Sequence, residues 1–123
     1  MKHLPWVLLM AWAPLTLAHH SNTAFDMTKS VTWKVQVTEF KFVNPHAYVY
    51  FTMADADGRR VEGRCELGSR TALTRMGWTI DTIRPGETLT IHGNPGRNEA
   101  NVCFVDNFVR ADGTEVGAHE PIR

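Results

Sequence analysis

The chain has 123 residues, 13 Lys+Arg against 13 Asp+Glu, and is 43% hydrophobic and 10% aromatic. That length supports one small core, and the balanced charge lacks the basic surplus expected of a nucleic-acid binder. Five arginines between Arg59 and Arg75 are interleaved with Glu62 and Glu66, the pattern of a solvated mixed face.

At the start, "MKH" supplies a charged n-region and "LPWVLLMAWAPLTL" an apolar h-region, with Thr16 and Ala18 at the −3 and −1 positions. Residues 1–18 are predicted to be a secretory signal peptide, cleaved after Ala18, so that His19 opens a mature protein that is periplasmic or secreted. The run is interrupted by Pro5 and Pro14 and is too short for a membrane span, and no later segment is apolar for long enough to predict one. Loss of Lys2 leaves one net negative charge. Residues 19–29 then read as an N-terminal segment and 30–123 as the folded domain.

From Val31 to Phe42 apolar residues alternate on one face (Val31, Trp33, Val35, Val37) and then shift phase to Phe40 and Phe42. A one-residue shift near Thr38 and Glu39 predicts a β-bulge in a long, bent strand, which points to a curled sheet. "VNPHA" interrupts the pattern at Pro45, and Val49, Phe51 and Met53 alternate with Tyr48, Tyr50 and Thr52 in a second strand. A turn at Asp57-Gly58 leads to a third strand from about Arg60 to Leu67, with Val61, Cys65 and Leu67 on one face. Ser69 is a candidate N-cap for a short helix with Ala72, Leu73 and Met76 as its apolar stripe and Gly77 at C′. Leu89 and Ile91 mark a fourth strand, "NPGRN" a turn, and Val102 to Arg110 a fifth strand that ends at "ADG". The prediction is a mainly β fold: a five-stranded OB-fold-like barrel with one short helix between strands 3 and 4. An open α+β sheet is the alternative.

Cys65 and Cys103 are the only cysteines, and in an oxidising compartment an even count predicts a disulfide. It would close a loop of about 39 residues and contribute roughly 4 kcal/mol on the chain-entropy model. Two buried thiols or a soft metal site are the alternatives, although neither a CxxC spacing nor an adjacent histidine favours a metal. OB topology places the two cysteines on adjacent parallel strands, at heights that look mismatched.

An amino-terminal histidine can bind a metal through its α-amine and ring Nδ1 together, and a second imidazole completes a T-shaped three-nitrogen set, a histidine brace. Such nitrogen ligands favour Cu(II). His19 and His20 are the candidate ligands, His20 also through its own ring and deprotonated backbone amide, with His46, His92 or His119 as the further imidazole. The residues from His19 to Lys29 can extend to at most about 36 Å, which excludes none of these. Strand pairing in an OB-fold favours His92 near the start of strand one, whereas His46, at the other end of that strand, requires the N-terminal segment to fold back. Each histidine also has a plain structural role open to it. His19 and His20 would form a solvated tail, His46 a turn hydrogen bond, His92 an outward strand position and His119 a frayed end.

The barrel face around Tyr48, Tyr50 and Trp78 is a candidate surface for a partner protein or small ligand, although tryptophans such as Trp33 and Trp78 are more often core or barrel-end packing than a binding platform. No nucleophile elbow, phosphate loop or HExxH is present, so the sequence predicts no catalytic residues and no cofactor other than copper.

"HHS" followed by "FD", then "VTEFKFVNPHAYVYF", "LTRMGWTIDTIRPGETLTIHG" and a closing "ADG", resemble an uncharacterised family of small exported bacterial proteins, classed as a domain of unknown function. The resemblance falls on His19, His20, Ser21, Phe25, Asp26, Asn44, Pro45 and His46, and later on Leu73, Arg75, Gly77, Trp78, Pro85 and Gly86. It implies export and a small β-barrel but no activity. Val35 stands where the family usually has glycine, Asn98-Glu99 where Asp-Gly is usual, and the cysteines are an addition to its pattern.

Overall fold

The computed structural model describes residues 24–119. Strand β1 (Val31–Lys41) pairs antiparallel with both β2 (Tyr48–Ala54) and β4 (Thr88–Pro95), and β2 pairs antiparallel with β3 (Arg60–Glu66). β5 (Val102–Arg110) pairs antiparallel with β4 and, over its first three residues, parallel with β3. That last pairing closes the sheet into a five-stranded mixed barrel, so the open-sheet alternative is excluded and the OB-fold-like expectation holds. The helix α1 (Arg70–Arg75) lies between β3 and β4 as expected. A short strand β6 (Glu115–Gly117) was not foreseen. The Asp112-Gly113 turn carries the chain back so that β6 pairs with the second half of β5.

The phase change in β1 has the cause inferred for it. Val37 pairs with Phe51 and Glu39 with Tyr50, leaving Thr38 as the extra residue of a bulge. Val35, Val37 and Phe40 are therefore all buried, together with Val49, Phe51, Cys65, Leu67, Leu89, Ile91, Cys103, Val105 and Phe108. Trp33 is half-buried, its ring tilted against Phe51 at 6.2 Å. Gly63 allows a close approach: a Cβ there would sit 2.6 Å from the Asn101 carbonyl, which accepts from the Arg64 amide beside it.

Ser69 caps α1, its hydroxyl accepting from the Ala72 amide at 3.0 Å, and Gly77, with φ +92°, follows the C-cap Met76. Leu73 is the helix's buried residue, and Ala72 of the expected stripe is exposed. Beyond the helix Trp78 and Ile83 enter the core. Trp78 packs on Phe40 and Phe108, each 6.0 Å away, and its indole N–H donates to the Gly117 carbonyl at 3.2 Å, which ties β6 to the segment that follows α1. At 5% exposure Trp78 is a core residue and does not share a surface with Tyr48 and Tyr50, because the chain after Gly77 turns it inward.

Cys65 and Cys103 form a disulfide, with Cα atoms 4.5 Å apart. The expected mismatch in height does not occur. β3 and β5 overlap only where the end of one meets the start of the other, and in that overlap Cys65 is the register partner of Cys103. No helix among the described residues is long and apolar enough to cross a membrane.

Candidate functional site

The "VNPHA" loop is fixed from both sides. The Asn44 side chain accepts from the Thr71 amide at 3.1 Å at the start of α1, the Asn44-Pro45 peptide is cis, and Arg70 donates to the Val43 carbonyl at 3.1 Å. Ala47 donates to Gly68 and its own carbonyl accepts from Leu67. His46 is thereby presented from a hydrogen-bonded loop against the end of β3, its Nδ1 3.2 Å from Glu66 Oε1. That nitrogen is sealed from water and, among the described residues, lacks an aligned hydrogen bond. Burial pushes the Glu66 carboxyl above the ordinary carboxylate range, against the opposing pull of His46 and Arg64. Burial, followed by the Glu66 charge, likewise raises the Tyr48 phenol.

One circuit of the strand register explains what gathers around this pair. Lys41 pairs with Tyr48, Tyr48 with Glu66, Glu66 with Phe104 and Phe104 with Asn94. The buried Asn94 side chain then donates to the Lys29 carbonyl at 2.8 Å, just before β1 begins. The stagger of a closed barrel thus brings the two ends of β1 onto one row around the circumference. His46 follows the far end of β1 along the chain, and through Glu66 it stands on the same row as Asn94 and the Lys29 carbonyl that precedes β1.

The N-terminal segment uses that row. Asp26 donates from its amide to the Pro95 carbonyl at 2.8 Å, and Arg97 donates to the Ala24 carbonyl at 2.9 Å, extending β4 by one isolated bridge between Phe25 and Gly96. Phe25 is 3% exposed and lies 5.7 Å from Phe104, outside the main core, so it acts as a strap across the seam between β3 and β5. Asp26 ends the strap in a turn, accepting from the Thr28 hydroxyl at 2.6 Å and amide at 3.1 Å, bonds that hold its carboxyl below the usual range. Between strap and seam is a cleft of about 210 Å³ whose walls include Ala24, Phe25, Tyr48, Arg64, Glu66 and Val102. Arg64 is bridged to Glu99 at 3.1 Å, which leaves Glu66 as the carboxylate without a paired arginine on this wall.

The candidate histidines separate accordingly. His46 stands beside the cleft through Glu66. His92, half-buried on β4, faces Thr32 of β1 with Nδ1 3.0 Å from its hydroxyl. His119 does not lie in a frayed end: its Nε2–H donates to the Val105 carbonyl at 2.7 Å and its ring stacks on Phe104 at 5.3 Å, held there by the hairpin into β6. His19 and His20 lie outside the described residues, and among the described ones no group of three or more His, Cys, Asp and Glu side chains is arranged to hold a metal ion. Tyr48 and Tyr50 are neighbours at 6.3 Å on the outer face, with the Lys41 ammonium 5.1 Å from the Tyr50 ring.

The partnership of Glu66 with His46 and the packing of Phe25, Phe104 and His119 as an aromatic trio were missed from the sequence. Glu66 was within reach of it. A hairpin turning through Asp55 to Arg59 pairs Ala54 with Arg60 and hence Tyr48 with Glu66, which sets that carboxylate near the loop carrying His46. The aromatic trio carries no comparable signal, since it depends on barrel closure.

Comparison with curated proteins gives no match, and comparison with solved structures gives none. A family model does match, over residues 8–104, and by that match the chain belongs to the family of unknown function DUF6152.

Proposed function

We propose that this protein is an exported β-barrel that binds a transition metal, copper by preference, through His19 and His20 with His46 as the third contributor. The observation that carries this reading is the strap. Ala24 is hydrogen-bonded at the mouth of the cleft that Glu66 and Tyr48 line, and His46 touches Glu66. From Ala24 the chain back to His19 reaches at most about 18 Å, which covers the distance across a small cleft. Cleavage after Ala18 would place a free α-amine on His19, and an amine with two or three imidazoles is a donor set suited to Cu(II).

The test is Cu(II) titration of protein beginning at His19 beside protein with one extra alanine before it. Tight one-to-one binding that the added residue weakens at least tenfold, and that His46→Ala also weakens, is the expected outcome. Weak binding by both forms would remove the metal from the account.

A second reading rests on the Tyr48–Tyr50 pair and its flanking Lys41, a half-exposed aromatic surface on the barrel's outer face. In that reading the barrel is a metal-free module for a partner protein or small ligand, and Tyr50→Ala would abolish binding while an extra residue before His19 would leave it unchanged.

A further inference from the structure

We propose that Glu66 is a positioning residue for His46: it holds the proton of the neutral imidazole on Nδ1 and thereby makes Nε2 the atom offered to an incoming cation. The second half rests on the metal reading above, and the first does not. A neutral imidazole carries one N–H and one bare lone pair, and the neighbour of one nitrogen decides which is which. Nδ1 sits 3.2 Å from a carboxylate oxygen and is closed to water. A bare lone pair there would face negative charge with no solvent to separate them, whereas an N–H would be attracted even off the ideal line. Histidine free in water favours the opposite tautomer, so the pairing with Glu66 has to overcome an intrinsic preference.

The surroundings keep the carboxylate available for this. Its side chain is 14% exposed and that of His46 39%, so the imidazole meets solvent with Nδ1 turned away from it. Arg64, the nearest competing cation, is bridged to Glu99 instead. The loop is locked by Asn44, Ala47 and Arg70, so the ring cannot escape by moving its backbone. A carboxylate behind a histidine ligand fixes ring orientation and raises the basicity of the coordinating nitrogen, and losing such a partner typically costs about 10–100-fold in metal affinity.

The experiment uses ¹⁵N-labelled protein beginning at His19. Long-range ¹H–¹⁵N correlation of the imidazoles is recorded without metal, at a pH where His46 is neutral, for wild type, Glu66→Gln and Glu66→Asp; Cu(II) titration follows on each. A protonated Nδ1 and bare Nε2 on His46 in wild type are expected, with a shift towards the Nε2–H form in Glu66→Gln and partial recovery in Glu66→Asp. Copper affinity should fall about tenfold in Glu66→Gln with stoichiometry unchanged. His46 protonated on Nε2 in wild type, or a tautomer indifferent to Glu66→Gln, would overturn the assignment. The expected tautomer with no copper bound by wild type would uphold the role of Glu66 and defeat the metal reading. Copper binding that responds to Glu66→Gln as strongly in a His46→Ala background would instead make Glu66 itself the ligand.

Discussion

Between β3 and β4, Leu73, Trp78 and Ile83 fill the barrel with apolar side chains whose one polar obligation, the indole N–H, is met by Gly117. Between β3 and β5, three register pairs, a disulfide and one strapping phenylalanine hold the wall together, and the outer surface carries His46, Glu66 and Arg64. This plug is stabilised by buried area, where a polar group is tolerated only when it is hydrogen-bonded. The seam has a short pairing and depends on a covalent bond, and that arrangement leaves room for half-buried ionisable groups. Stability and chemistry are thus concentrated in different parts of one small barrel.

That contrast can be broken most strongly at the plug. Trp78→Ala should lower unfolding free energy by about 3–5 kcal/mol, read from urea midpoints, and should loosen β6 as well because the Gly117 acceptor loses its donor. At the seam, Cys65→Ala with Cys103→Ala should cost roughly 4 kcal/mol, with fast amide exchange spreading along the end of β3 and the start of β5. An equal loss of protection at α1 would mean that the two regions are not separable. Phe25→Ala should cost about 2–3 kcal/mol and expose the amides of Asp26 and Arg97 to exchange, while those of the plug stay protected.

The smallest effects sharpen the electrostatic side, where two carboxylates at the seam act with opposite sign. The folded Glu66 carboxyl is raised, so the folded state holds its proton more tightly than the unfolded chain does. Its contribution is present below the ordinary carboxylate range and is lost as pH rises through the raised value. The folded Asp26 carboxyl is lowered by the Thr28 bonds, so its contribution is present above that range and lost as pH falls through the lowered value. Stability measured between the acid range and neutrality should show Glu66→Gln removing a decline on the rising side and Asp26→Asn removing a decline on the falling side. If both substitutions change the profile in the same sense, His46 rather than burial governs Glu66.

Local chemistry accounts for the parts of the fold that were legible. Alternation in β1 and β2, the phase shift at Thr38, Ser69 with Gly77 around α1, and the Asp57-Gly58 turn are all short-range patterns, and each appears in the structure where the residues place it. β6 was missed because three residues after a turn give no periodicity to count. Trp78 is open in the sequence to both core packing and a binding face, because an isolated aromatic in a loop carries no sign of which way it faces, and the structure buries it. The candidate site was legible only as residue types: "HH" at 19–20 and "NPH" at 44–46 name imidazoles without saying which of them can meet.

The sequence by itself therefore determined the five barrel strands, the capped helix, the bulge and the fact that two cysteines were available to pair, since each follows from contacts a few residues apart or from composition. The tertiary structure decided the height match of Cys65 with Cys103, the strap of Phe25 over Phe104, and the approach of His46 and Glu66 to the N-terminal segment. Those depend on the stagger with which the barrel closes. Stagger is a property of the whole circuit of strands, summed over every register and bulge, and no single stretch of sequence encodes it.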